Sequence, residues 1–354
     1  MSSPVEEIIK AINGLDSGSV NLMEVCGTHT MAIARSGIKS LLAENIRLIS
    51  GPGCPVCVTS AEAVDAALDL ARNKDIIIAT YGDMIKVPGS KRGSSLAGLS
   101  GQGSDIRMVY SPIDALSIAK ENPEKQTVFL GVGFETTAPG TAVAIKTAAE
   151  ENIDNFTVFS MLKTCEPALR HLAADPDFNI QGLLCPGHVA SIIGMKGFSF
   201  LPDELHLPSV ISGFEAEDIL LSIYMLLRQI KDGRPALENE YKRAVSEEGN
   251  TIALSVMDEV LEARDDLWRG MGIIKSGGLG IRKKYEKYDA EKRFGTDTSP
   301  RDIKTPCRCG EVIQGKISPR QCPMFARTCD PENPSGPCMV SGEGACAAEY
   351  KYNL

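Results

Sequence analysis

Between positions 20 and 214 the chain repeats one pattern: a short run of β-branched and other apolar residues, a turn rich in glycine and proline, then a stretch in which Ala, Leu and Ile recur at helical spacing. Runs at 20–25, 46–50, 75–80, 106–110, 127–132, 156–161, 180–184 and 209–212 are too short for helices, and most are bounded by turn residues, so they are predicted strands. Helices fit between them. The stretch 58–72 brings Ala61, Val64, Ala67, Leu68 and Ala71 to one face, and 141–150 begins just after Pro139 and Gly140. Strands alternating with helices in this way predict an α/β fold, parallel sheets flanked by helices.

Two sheets of about four strands fit the usual size of a domain better than one wide sheet. The turn Asn122-Pro123-Glu124-Lys125 predicts the join, giving two similar α/β domains over 20–122 and 123–214. After Phe214 the pattern becomes helical, with helices predicted at 215–231, 236–246 and 251–267 and breaks at Gly233-Arg234-Pro235 and Glu248-Gly249-Asn250. The region 215–354, joined by an N-terminal helix at 4–14, reads as a third domain, helical and cysteine-rich. From Met271 onward glycine, proline and cysteine dominate, and six of the eleven cysteines fall between Cys307 and Cys346. A segment so poor in large apolar residues needs cross-links or metal to hold its shape.

Composition narrows the classes. With 43% hydrophobic and 23% charged residues in 354, the chain has enough apolar mass for packed cores. A net charge of -9 without a dense Lys/Arg block argues against nucleic acid as a partner. The opening MSSPVEEIIK has no basic stretch leading into an apolar run, and the longest apolar window, 219–227, is far below membrane-spanning length. The expectation is a cytoplasmic protein without a membrane partner. In that reducing compartment thiols more often hold metal or perform redox work than form structural disulfides.

Four constellations carry candidate chemistry. In Gly51-Pro52-Gly53-Cys54-Pro55-Val56-Cys57 a CxxC follows a predicted strand and opens a helix, where N–H groups and the helix dipole favour thiolate. Cys54 and Cys57 are thereby set for dithiol/disulfide exchange; half a zinc knuckle or two buried small hydrophobes are the alternatives. Cys26 and His29, three residues apart after another strand, offer a soft ligand and an imidazole, and Cys185-Pro186-Gly187-His188 repeats the arrangement. Both copies stand where open α/β sheets form their crevices. The run Gly131-Val132-Gly133-Phe134-Glu135-Thr136-Thr137 lacks the third glycine of a dinucleotide site and a following GK[ST], so nucleotide binding is a poor reading. A tight turn presenting Glu135, Thr136 and Thr137 to a crevice fits better; a helix cap beside an exposed carboxylate is the plain alternative. In the tail, Cys307, Cys309, Cys322, Cys329, Cys338 and Cys346 are spaced too widely for most zinc knuckles, and an iron–sulfur cluster suits them better than zinc. Cys165 reads as a buried structural thiol.

With these residues assembled, the sequence closely resembles the HypD family of hydrogenase maturation proteins. The matching segments are MEVCGTHT (23–30), GPGCPVCVT (51–59), GFETTAP (133–139), PGHV (186–189), and the tail PCMVS (337–341) with EGAC (343–346). They span nearly the whole chain, in order. One departure is Ser60, where the family pattern leads one to expect proline.

The resemblance implies a scaffold on which the Fe(CN)2CO unit of [NiFe]-hydrogenase is assembled, held jointly with the chaperone HypC, supplied with cyanide by HypE, and serving the hydrogenase large subunit indirectly. It implies a [4Fe-4S] cluster on Cys307, Cys322, Cys329 and Cys346, with Cys309 and Cys338 outside the pattern, and an iron(II) cargo carrying cyanide and CO. It assigns Cys26 to the iron and Cys54 and Cys57 to redox work. On this reading His29 orients or ligates the metal or moves protons, while Glu135, Thr136, Thr137 and His188 handle cyanide and protons. Two other classes compete: an iron–sulfur-dependent thiol-disulfide oxidoreductase acting on client proteins, and a zinc-stabilised binding module.

Overall fold

The computed structural model describes residues 4–91, 93–303 and 305–353. All eight predicted strands form, most of them shifted at an end by one or two residues. They are β1 (Val20–Glu24), β2 (Ile46–Ser50), β3 (Ile76–Thr80), β4 (Asp105–Met108), β5 (Gln126–Gly133), β6 (Phe156–Leu162), β7 (Gly182–Pro186) and β8 (Ser209–Ser212). Every pairing among them is parallel. The runs are apolar on both faces, as β3 and β6 show by being buried at every position, because helices cover both sides.

The sheets do not divide at 122/123. One sheet has the order β2-β1-β7-β8-β9, where β9 is Leu237–Asn239, and the other β4-β3-β5-β6. The chain therefore starts one sheet, builds the whole second sheet, and returns to finish the first. Nor does 215–354 form one helical body. The helix Ala216–Asp232 and the N-terminal helix Pro4–Asn13 pack together in the core beneath the first sheet, where Ile12, Val20, Leu22 and Ile219 belong to one buried cluster.

Two predicted helices are corrected. The segment 236–246 supplies the edge strand β9, whose Leu237 pairs with Ser209. The helix Thr251–Val260 ends early, and β10 (Leu261–Trp268) pairs antiparallel with β11 (Gly272–Ile281). Leu261-Glu-Ala-Arg-Asp-Asp-Leu-Trp contains good helix formers, and tertiary pairing overrides that weak preference. The hairpin is fastened to the second sheet: Ser160 donates to the Leu279 carbonyl at 2.6 Å, and the buried Lys163 ammonium donates to Asp266 at 2.5 Å. Its Trp268 indole donates to the Gly277 carbonyl at 2.9 Å and its ring lies 5.9 Å from that of Phe134, bracing the turn after β5.

The tail is built from short helices, Cys309–Ile313, Pro337–Val340 and Ala345–Asn353. They pack on two helices of the first half of the chain, Gly27–Arg35 and Pro55–Val58.

Candidate functional site

The strand ends of the two sheets meet at one cavity of about 200 Å³. Cys26 stands between β1 and the helix Gly27–Arg35, and Glu24 shapes its turn. The Glu24 carboxylate accepts the Cys26 N–H at 3.1 Å and the Thr30 hydroxyl. Burial pushes Glu24 up to about 7 despite these donors. Burial likewise pushes the Cys26 thiol up to about 12, with the carboxylates of Glu343 and Glu24 adding to it and the N–H groups of His29 and Thr28 opposing it.

The CPVC turn interlocks with this one. The Gly27 N–H donates to the Gly53 carbonyl at 3.2 Å, and a Cβ on Gly53 would lie 2.2 Å from the Cys26 nitrogen, so only glycine fits. Cys54 caps the helix Pro55–Val58, its sulfur accepting the Cys57 N–H at 3.2 Å, and Cys54 and Cys57 form a disulfide with Cα atoms 5.2 Å apart. Gly53 and Pro55 line the cavity, while the two sulfurs lie behind them, 4% and 1% exposed.

From the second sheet, Thr136 and Thr137 line the cavity. A Cβ on Gly133 would lie 1.4 Å from the Thr137 hydroxyl oxygen, which explains the glycine before this turn. Glu135 is not among the lining residues. One of its oxygens accepts the Cys165 N–H at 2.8 Å; the other is buried with no partner among the described residues. Burial pushes Glu135 up to about 7.

The two Cys-x-x-His segments exchange roles. Cys26 lines the cavity and His29 is fully buried, whereas Cys185 is fully buried and His188 lines the cavity. Register explains the exchange. Glu24 pairs with Leu184, so Pro186, not Cys185, is level with Cys26, and Pro186 lines the cavity. The His29 Nε2 donates to the Gly213 carbonyl at 2.8 Å, its Nδ1 has no partner among the described residues, and burial pulls the ring down to about 4. Both imidazoles stack on Phe214, His29 at 4.7 Å and His188 at 3.8 Å between centroids.

Two cavity residues escaped the sequence reading. Cys165, the first residue of the helix Cys165–Ala173, faces the cavity instead of serving only the core. Glu343 arrives from the tail: its carboxylate accepts the Thr28 hydroxyl at 2.8 Å and occupies the space that a side chain on Gly27 would need. The sequence signal for Glu343 was its place in the EGAC segment, three residues before Cys346, which assigns it no role.

All six tail cysteines line a second, far smaller pocket whose other walls are Val312, Phe325, Met339 and Gly336. The Cys307 and Cys309 sulfurs both approach Gly336, lying 2.8 and 3.4 Å from where a Cβ on that residue would stand. Burial raises the Cys346 thiol, and charge on Cys307, Cys309, Cys329 and Cys322 would raise it further. The Cys346 thiol so placed stays protonated unless a cationic group neutralises it. Among the described residues no three His, Cys, Asp or Glu side chains are placed to hold a single metal ion. A thiol-only donor set distributed around an apolar pocket fits an iron–sulfur cluster, in which different sulfurs bind different irons. The short helices that carry Cys309 and Cys338 lie directly against the CPVC helix.

A family model described as HypD, "Hydrogenase formation hypA family", matches residues 3–353. The chain belongs to the HypD family. Among its relatives are hydrogenase maturation factor HypD2 of Bradyrhizobium diazoefficiens, 44% identical with 93% of this chain and 88% of that protein covered, and HypD of Escherichia coli, 42% identical with 94% and 89% covered. A putative hydrogenase expression/formation protein of Methanocaldococcus jannaschii is 39% identical over 98% of this chain and 96% of its own. A crystal structure of 2,3-dimethylmalate lyase covers 73% of this chain and 87% of its own at a TM-score of 0.16 and 11% identity, too unlike to carry an argument. In this HypD-family chain Ser60, the departure noted above, caps the helix Ala61–Ala71 by accepting the Ala63 N–H at 3.1 Å. Among the described residues no helix is long and apolar enough to cross a membrane.

Proposed function

We propose that this HypD-family protein serves hydrogenase maturation in the cytoplasm as the scaffold on which an iron ion receives cyanide and carbonyl ligands for a [NiFe]-hydrogenase. In this reading Cys26 grips the iron, HypC shares the metal, and HypE delivers cyanide. The carrying observation is the single cavity that gathers Cys26, the CPVC turn, Thr136, Thr137 and His188 from the ends of two sheets.

The chain's own groups have distinct tasks. Cys26 keeps its proton in the absence of metal and exchanges it for iron on loading; the N–H groups of Thr28 and His29 support the resulting thiolate. Thr136 and Thr137 offer hydroxyl donors to a small anion. His188, pulled down by burial, is neutral near pH 7 and accepts or returns a proton. His29 acts from outside the cavity, its Nε2 tied to Gly213 and its ring bearing on Phe214.

Freeing cyanide from a protein thiocyanate consumes two electrons and leaves a thiolate and a cyanide ion. Cys54 and Cys57 as a dithiol release two electrons and two protons on closing to the disulfide. When bound, a [4Fe-4S] cluster on Cys307, Cys322, Cys329 and Cys346 would supply single electrons. The packing of the tail helices on the CPVC helix supports that pairing of carriers. The sulfurs of Cys54 and Cys57 are buried, so the chain must open locally before either a client disulfide or a partner's thiocyanate can reach them.

Iron analysis tests the assignment. Protein purified anaerobically with its partners is expected to carry iron beyond that of the cluster, and Cys26→Ala to keep the cluster iron and the fold while losing the excess. Excess iron retained in the variant contradicts it.

A further inference from the structure

Cys165 has no task in the account above. It is free, 6% exposed, and faces the same cavity as Cys26, His188 and Glu343. Cys26 belongs to the end of β1 in one sheet, and Cys165 follows β6 in the other, so the two thiols approach the cavity from opposite sheets. They are near enough for charge on one to act on the other. A thiol serving only as packing gains nothing from opening onto a cavity that already holds a thiol, an imidazole and a carboxylate. Glu135, outside the cavity wall, fixes the Cys165 main chain by accepting its N–H at 2.8 Å.

We infer that Cys165 is a second thiolate ligand for the iron cargo, so that Cys26 and Cys165 grip one thiophilic divalent cation between the two sheets. The inference rests on the reading that Cys26 holds iron, and adds that the chain supplies both sulfurs before a partner's ligand arrives. Two thiolates select iron over magnesium and calcium, which prefer oxygen. A third protein ligand is not required. The cargo acquires diatomic ligands of its own, which need open coordination positions, and the described residues offer no group of three His, Cys, Asp or Glu side chains there. Loading replaces two S–H bonds with two metal–sulfur bonds and releases two protons; no electron is transferred.

Cobalt(II) is a suitable probe, added anaerobically to the cluster-loaded protein with the Cys54–Cys57 disulfide intact. Thiolate-to-cobalt charge-transfer absorption grows with the number of sulfurs bound. The Cys26→Ser, Cys165→Ser double variant gives the baseline for cobalt held elsewhere. Above that baseline, Cys165→Ser is expected to halve the absorption per bound cobalt. It should also weaken binding about tenfold or more, since even partners behind a ligand are worth that much. Wild-type absorption and affinity in Cys165→Ser, with loss in Cys26→Ser, overturn the inference and leave the Cys26 reading standing; no change in either variant overturns both. Cluster absorption and circular dichroism identify folded variants. Should Cys165→Ser not fold, X-ray absorption of the cobalt-loaded wild type decides instead: two sulfur neighbours at about 2.3 Å support the inference and one refutes it.

Discussion

Glu135 is protonated more readily in the fold than in the unfolded chain, because burial lifts it from 4.5 to about 7 and the Cys165 N–H only partly offsets this. Its contribution to stability is therefore complete below about 4.5 and is lost as pH rises through about 7. Glu24 behaves in the same sense for the same reason. Glu135→Gln keeps an acceptor for the Cys165 N–H and removes the titration. Denaturant unfolding at about pH 5 and about pH 8 should show a smaller loss of stability in the variant, the difference not exceeding about 3 kcal/mol. An unchanged pH dependence would show that Glu135 is already ionised in the fold.

Among the elements, the tail depends most on chemistry outside the backbone. Its helices are four to nine residues long, and its core is largely sulfur. Cys322→Ser is expected to cost the visible absorption of the cluster and to make 307–353 susceptible to proteolysis, while the two sheets keep their circular dichroism. An intact visible spectrum would remove Cys322 from the ligand set. The eight parallel strands were legible in the sequence because each is a short apolar run between turn residues. The strands β9 and β10 were not, since Leu237–Asn239 and Leu261–Trp268 owe their form to the strands they join. At the site, Cys26, Thr136, Thr137 and His188 were legible because they follow strands directly. Cys165 follows one as well, but a single cysteine carries no pattern that separates a cavity thiol from a core thiol. Glu343 is brought in by the fold from more than 300 residues beyond Thr28, and no local pattern announces that. Glu135 and His29 were read as crevice groups, but hydrogen bonds to Cys165 and Gly213 hold them outside its wall.

Over the whole molecule, the path of the chain makes the site. Because β1 and β2 are completed by β7 and β8 only after the second sheet is built, the two sheets are tied at both ends, and their strand termini share one cavity. The tail closes the arrangement by sending Glu343 into that cavity and by laying the helices of Cys309 and Cys338 on the CPVC helix. The Cys26 cavity, the CPVC turn and the tail sulfurs are thereby neighbours in a chain whose motifs are scattered along its length. Infrared spectroscopy of the protein isolated anaerobically with HypC reports on this most directly, because iron-bound cyanide and carbonyl absorb where protein is silent. The account predicts cyanide and carbonyl bands in the wild-type complex that are absent from the Cys26→Ala complex; bands of equal strength in both would contradict it.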